Sequence, residues 1–331
     1  MKNRQWLLAR RPDGALNDSD FTFVESEAPA PGEGEVLIRN LMLSCDPTQR
    51  AWIAGDTYLP AVKIGEVVRS FGAGRIEASN DPGFKAGDLV LGLTGWQDYV
   101  AMKPGGLNKL PPGAPVELAM GVLGMIGMTA YFGLLDVGRP KGGETVVVSG
   151  AAGATGSLVA QIAKIKGCRV VGVAGGPEKC RWLTQELGLD AAIDYKAENV
   201  KARLKELCPK GVDIFFDNVG GDVLDAALGR LAMRGRVVLC GGISAYDAAE
   251  PPPGPRNYLN LVSKRGRMEG FLVTDYMPRA AEALDALSDW IKEGKLKYRV
   301  DVQHGLENAP ATLRRLFEGK NEGKQLLRVA E

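Results

Sequence analysis

The sequence predicts an α/β protein in which a doubly wound parallel sheet interrupts a β-rich module. Two changes of rhythm along the 331 residues carry this expectation, together with one glycine-rich turn. The first third has short apolar stretches between turn residues. From about Ala119, helix-patterned and strand-patterned segments alternate. Residues 299–331 then return to strand, helix and strand. The expected division is residues 1–125 with 299–331 as one module, and 126–298 as the other.

In chain order, strands are expected at 35–40, 67–71, 89–93 and 98–102. Pro31-Gly32, Gly72-Ala73-Gly74, Asp81-Pro82-Gly83 and Pro111-Pro112-Gly113 read as turns between them. Leu118 to Leu135 carries no charge over 18 residues, close to the ~20 that span a bilayer. It is rich in Gly and Met, and it abuts a sheet that must be covered on both faces. A buried helix is therefore expected there, and no membrane contact. Further on, strands are expected at 146–148, 170–173, 191–194, 212–218, 236–241 and 267–273. Helices are expected at 178–187, 199–207, 222–231 and 277–293, with a helical patch at 257–263. Uninterrupted apolar strands alternating with helices belong to a parallel sheet buried on both faces. In the tail, 299–302 and 325–329 read as strands and 307–318 as a helix. Their β character suggests a return to the first module.

Net charge is +1 with acids and bases interspersed, which excludes a nucleic-acid footprint and a polybasic membrane patch. The five cysteines are scattered, odd in number and without a CxxC pair, as expected of reduced thiols in the cytoplasm. The single histidine, His304, leaves no ligand cluster for zinc.

The glycine-rich turn lies between the strands at 146–148 and 170–173. It carries Gly150, Gly153 and Gly156 and opens a helix-patterned segment. A strand, a glycine turn and a helix in this order place a dinucleotide pyrophosphate on the helix N-terminus, the Rossmann arrangement. Gly153 lets the backbone approach the phosphates, and Gly156 lets helix and strand pack closely. The first position of the usual fingerprint is Ala151 here. Sites for NAD end their second strand in an acid that bonds the ribose 2′-hydroxyl. This chain has Ala174-Gly175-Gly176 instead, followed by Lys179 with Arg181 close by. Two glycines leave room for a 2′-phosphate and a lysine can meet its charge, so the expected cofactor is NADP(H). Two more segments end predicted strands: Phe216 to Gly221, with the amide of Asn218, and Cys240 to Tyr246, with a phenol able to donate a proton.

These segments, with LSCDPTQR near the front, GMTAYFGLLDVG, RMEGFLV and the closing GKNEGKQLLRV, run in order over nearly the whole chain. In this the sequence resembles the zinc-free medium-chain dehydrogenase/reductases. The branch resembled is that of prostaglandin and leukotriene reductases, alkenal double-bond reductases and bacterial curcumin reductase. The resemblance implies a GroES-like β module beside the Rossmann domain. It implies NADPH-dependent reduction of the carbon–carbon double bond of α,β-unsaturated aldehydes and ketones, without metal. It places Thr129 beside the nicotinamide, and Lys179 and Tyr195 at the 2′-phosphate. Asn218, and Asn321 from the tail, would contact the cofactor, as would Ala151, Gly153, Ala154, Thr155, Gly156, Gly175, Gly241 and Ser244. Tyr246 would stand at the substrate carbonyl as the catalytic hydroxyl. A homodimer is expected because relatives form one.

The chain departs from the family where a substrate-facing tyrosine usually stands, in DPYMR. Here the segment is Asp46-Pro47-Thr48-Gln49-Arg50, and the smaller Thr48 alters one wall of the substrate pocket. Zinc-dependent relatives carry a Gly-His-Glu segment after a cysteine ligand. Here Cys45 is followed by Lys63-Ile64-Gly65-Glu66, with no histidine. A quinone reductase on the same scaffold and a non-enzymatic NADPH-binding protein are the competing readings.

Overall fold

The computed structural model describes residues 1–248, 250 and 252–330; residues 249, 251 and 331 lie outside it. The first module contains β1 (Lys2–Leu8), β2 (Phe21–Glu27), β3 (Val36–Ser44), α1 (Thr48–Ala54), β4 (Phe71–Ser79), β5 (Leu89–Leu93), β6 (Tyr99–Met102) and β7 (Asn108–Lys109). The hairpin β1–β2 was not expected from the sequence. Lys, Asn, Arg and Glu crowd it, so no apolar alternation marks it, yet it pairs in unbroken register from Lys2 with Glu27 to Leu8 with Phe21.

A second correction concerns 67–74. The strand begins at Phe71 and runs straight through Gly72 and Gly74, which the sequence suggested as a turn. Both glycines are there for clearance. A β-carbon on Gly72 would lie 2.2 Å from Thr94 Oγ1, and one on Gly74 2.4 Å from Ile38 Cγ2. Glycine inside a strand often marks such a close approach.

The 118–135 segment is not one helix either. It forms α2 (Val116–Met120) and α3 (Met125–Phe132), with a wider π-type turn at Gly133–Gly138. Gly121 and Gly124 interrupt it, because carbonyls of the preceding turn leave no room for a β-carbon at either position. Among the described residues no helix is long and apolar enough to cross a membrane.

Beyond this come β8 (Thr145–Ser149), α4 (Ala154–Ile165), β9 (Arg169–Ala174), α5 (Pro177–Arg181), β10 (Ala191–Asp194), α6 (Val200–Leu207), β11 (Val212–Asp217), α7 (Gly221–Leu228), β12 (Leu231–Leu239), α8 (Ile243–Tyr246), α9 (Asn260–Lys264), β13 (Arg267–Gly270) and α10 (Ala280–Lys292). Two expected helices are shorter than read. Residues 182–186 form another π-type turn after α5, and a 3-10 turn precedes α10 because Pro278 cannot continue a helical hydrogen-bond ladder. The strand expected at 267–273 stops at Gly270. The sheet is parallel, in the order β10-β9-β8-β11-β12-β13. It is buried on both faces: Val146 and Val148 pack with Ile162, Phe216 and Val238, while Val147 packs with Val171, Phe215 and Leu204. Chain order reverses between β8 and β11, which opens a crevice at their C-terminal ends.

The tail forms β14 (Val300–His304), α11 (Ala309–Phe317) and β15 (Lys324–Arg328). Strand β15 pairs antiparallel with β3, so the tail extends the sheet of the first module.

Candidate active site

The turn after β8 is built from backbone clearance. Gly150 is left-handed, with φ +58. A β-carbon on Gly156 would lie 2.3 Å from the Gly150 carbonyl oxygen and 3.0 Å from Ala151 Cα. Gly156 therefore lets α4 start against the turn, and Gly153 is its N-cap. Ala151 is buried, and its N–H donates to the Val173 carbonyl, tying the turn to β9. Ala154 and Thr155 open the helix half-exposed, with its free N–H groups around them. The tail closes in here too, through a parallel bridge between Gly153 and Gly323. Asn321 Nδ2 donates to the Gly323 carbonyl, 2.9 Å.

Asp217, which sequence reasoning passed over, organises the crevice between β8 and β11. It is buried; one carboxylate oxygen accepts from Ser149 Oγ at 2.8 Å and from the N–H groups of Val219 and Gly220 at 3.0 Å. Burial raises its pKa, against these donors. Asn218 is fixed beside it: its N–H donates to Ser149 Oγ and its Nδ2 to the Ser149 carbonyl, 2.7 Å. Its amide oxygen makes no hydrogen bond among the described residues. The sequence did hold a hint, since an acid at the end of an apolar strand must be satisfied by something close.

At the end of β9, Gly176 has φ +97, and its N–H donates to Asp194 Oδ1, 2.8 Å. The ring of Tyr195 lies over Gly175, where a β-carbon would stand 2.9 Å from it. Lys179, on α5, reaches the tail: Nζ donates to the Gly319 carbonyl, 2.7 Å. Burial, then the neighbouring charge of Lys196, lowers its pKa. Two cations thus stand near Gly176, which faces open space.

Tyr246 ends the short helix α8 after β12. Its Oη accepts from the Gly242 N–H, 3.3 Å, and lies close over Gly241. Burial holds its phenol above the ordinary range, the Gly242 contact opposing and Cys240 and Tyr58 adding to the rise. Ser244 hydrogen-bonds twice to the Val219 carbonyl, through N–H and Oγ, and so joins the Tyr246 loop to the Asn218 turn. Thr129 stands apart: its hydroxyl donates to Met125 O, 2.7 Å, one turn back on α3.

Thr48 begins α1, with Oγ1 3.2 Å from Tyr58 Oη. Two residues on, the buried Arg50 extends to Asp247, with Nε 3.4 Å from Oδ1. This ion pair fastens the residue after Tyr246 to the first module, a link no local pattern announces. Behind Thr48, the buried ammonium of Lys324 donates to Asp46 Oδ1 and Ser44 Oγ, both 2.6 Å, and to the Cys45 carbonyl, 3.2 Å. Burial pushes the Cys45 thiol up to about 12. Among the described residues no three His, Cys, Asp or Glu side chains converge as metal ligands.

Two family models match the chain: the N-terminal domain of oxidoreductase over residues 4–110, and zinc-binding dehydrogenase over residues 154–292. NADPH-dependent curcumin reductase of Escherichia coli (strain K12) is 46% identical over 99% of this chain and 97% of its own length. The 2-alkenal reductase (NADP(+)-dependent) of Nicotiana tabacum is 42% identical over 100% of this chain and 98% of its own. The crystal structure of CurA from Vibrio vulnificus in complex with NADPH is 42% identical and superimposes with a TM-score of 0.95, covering 99% of both chains. The chain therefore belongs to the medium-chain dehydrogenase/reductases, in the branch that holds the curcumin, alkenal and prostaglandin reductases.

Proposed function

We propose that this protein is an NADPH-dependent reductase of the carbon–carbon double bond in α,β-unsaturated ketones and aldehydes. The observation that carries this reading is Tyr246, a half-buried phenol whose pKa is raised, at the C-terminal end of β12 beside the β8–β11 crevice. Relatives that act on such substrates support it.

In this reading the turn from Gly150 to Gly156 receives the pyrophosphate, Gly176 clears space for the 2′-phosphate, Gly175 makes room for the Tyr195 ring, and Lys179 and Tyr195 meet the phosphate. Asn218, Gly241, Ser244, Thr129 and Asn321 complete the cofactor contacts. The chain divides into a GroES-like module, 1–125 with 299–331, and a cofactor domain, 126–298. Bound NADPH supplies a hydride to the β-carbon of the substrate. Charge then develops on the substrate oxygen, Tyr246 Oη donates a hydrogen bond to it, and the α-carbon takes its proton from solvent to give the saturated product. A preorganised donor of this kind is worth about 3–4 kcal/mol of barrier. Ionisation of the phenol would remove that proton, and the burial that raises its pKa prevents this at neutral pH. Arg50, through Asp247, holds the Tyr246 loop in place. In this reading no metal takes part; the Lys324 ammonium holds the Cys45 carbonyl and the Asp46 carboxylate.

The same reading includes a homodimer. Among the described residues, edge strand β13 pairs only on its β12 side, and Tyr258, Leu259, Val262 and Met268 are exposed on or just before it. The cytoplasm suits the five free thiols.

The test is NADPH oxidation with an enal, an enone, a quinone and a saturated ketone, with products identified by mass. Saturated ketone or aldehyde formed from the enone and enal is expected. Turnover of the quinone alone would replace this reading with quinone reduction, and NADPH binding without any turnover would remove catalysis from it.

A further inference from the structure

At the N-terminal ends of the parallel strands, opposite the glycine turn, lies a cavity of about 470 Å³. Arg139, Lys141, Arg234, Arg236, Arg265 and Arg267 line it, with neither an acid nor an aromatic residue among them. In sequence they form three pairs spaced by two, one leading into β8, one within β12 and one at the start of β13. Arg236 and Arg267 are register partners, so the pairs on β12 and β13 are side by side.

Little offsets these charges. Glu144 takes Arg236 with both carboxylate oxygens, and Arg267 lies 3.6 Å from Glu269. Among the described residues, no carboxylate lies within ion-pair distance of Arg139, Lys141, Arg234 or Arg265. Arg236 Nε and Arg267 Nε are buried and lack hydrogen-bond partners. A buried donor without an acceptor is destabilising, and like charges around one space repel.

The backbone carries a second mark. Arg139, Arg234 and Arg265 have φ of +51, +61 and +50, and they are the non-glycine residues with positive φ among those described. Glycine adopts this conformation freely, while a β-carbon strains it. Arg139 and Arg265 close helical segments, where the helix dipole favours a cation. That accounts for one charge at each cap. It does not account for Lys141, Arg234, Arg236 and Arg267 around the same space. Strain kept at three positions, all in one cavity, is a mark of function.

We propose that this cavity binds a small anion with two or more phosphoryl groups, at a site separate from the dinucleotide crevice. Arginine forks match phosphoryl oxygens in geometry as well as charge. The lining has no ring on which a base could stack, so the ligand is an inorganic or sugar polyphosphate rather than a nucleotide. The charge is confined to one cavity on a chain of net charge +1, unlike the extended stripe that tracks a nucleic-acid backbone.

The test uses the full chain, in the oligomeric state in which it is isolated, saturated with NADPH so that the crevice is filled. Sodium triphosphate, sodium sulfate and a short single-stranded DNA are titrated by calorimetry at fixed ionic strength. One saturable triphosphate site per chain is expected, at least about tenfold tighter than sulfate, where one lost charge-assisted contact is worth about that factor. Arg234→Gly with Arg265→Gly removes two charges and relieves two strained backbones, so the fold is retained. This variant should lose triphosphate binding by about tenfold or more, and reduce enones as before. Absence of saturable binding, binding abolished by NADPH, or unchanged affinity in the variant would overturn the proposal. DNA bound more tightly than triphosphate would overturn it in favour of a nucleic-acid surface.

Discussion

At the C-terminal ends of the parallel strands the turns are built of glycines, which omit side chains; the N-terminal ends surround a cavity with charged ones. Beside β8 and β9, Gly150 and Gly156 bring backbone close to the start of α4 and Gly176 faces open space, with Lys179 and Lys196 the cations nearby. Within β12 and at the start of β13 the contacts available are guanidinium groups, some on strained backbone. The difference is one of precision against charge. Backbone N–H groups at a helix start are fixed by the fold and hold one ligand in one pose. A ring of arginines attracts anions of several shapes, and salt screens that attraction.

The largest expected effect breaks the first arrangement. In Gly156→Val the β-carbon meets backbone, at 2.3 Å from Gly150 O and 3.0 Å from Ala151 Cα, and no side chain can swing aside to admit it. The turn must open and α4 must shift. NADPH affinity should fall by about 100-fold or more as the oriented donors are lost. Fluorescence titration of NADPH measures this, with a thermal melt alongside to report the strain. An affinity close to that of the parent protein would mean that the turn is not the phosphate cradle.

Next comes Tyr246→Phe. It removes one donor and little volume, so turnover should fall by about 10²-fold, in line with loss of a single oxyanion donor. NADPH affinity should hold, because the described partner of the hydroxyl is the N–H of its own turn, at Gly242. The pH profile carries a separate check. Burial raises the phenol above the ordinary value of about 10, so its proton is present throughout the neutral range. Turnover should therefore lack an alkaline limb below about pH 9. A limb at lower pH that vanished in Tyr246→Phe would show that this hydroxyl titrates earlier than its surroundings imply.

These two residues also mark what was legible in the sequence. Gly156 could be read because a strand, a turn and a helix in immediate succession force its residue type. The apolar runs of β8, β9 and β11 were readable for the same reason, since a sheet buried on both faces admits little else. Gly72 and Gly74 misled, because a glycine giving clearance inside a strand looks in sequence like one that turns the chain. What separates the two cases is Thr94 and Ile38, on neighbouring strands. Arg50 with Asp247, and Lys324 with Asp46, were not readable as pairs, since each joins distant segments that only the folded chain brings together. The basic pairs at 139/141, 234/236 and 265/267 were not read from the sequence, since their convergence depends on strand order, which spacing does not reveal.

Lys179 is where the two ways of holding charge meet, and its replacement gives the smallest of these effects. Lys179→Ala leaves the glycines and the turn intact and removes a side-chain cation from the backbone-built site. A hydrogen bond to a charged group contributes about 1.5–3 kcal/mol, so NADPH affinity should drop by roughly 10- to 100-fold. NADH affinity should barely change, since that cofactor offers no 2′-phosphate. The preference between the two cofactors, measured by titration of each, should collapse, and a retained preference would transfer the role to Lys196 or Tyr195. The direction of its pKa adds a dependence that the glycine turn cannot have. Burial and Lys196 lower the pKa of Lys179, so it sheds its proton earlier than a free lysine as pH rises. The NADPH preference of the unmodified protein should therefore weaken on the alkaline side and with added salt. The affinity shared by both cofactors, which rests on backbone N–H groups, should be much less sensitive to either.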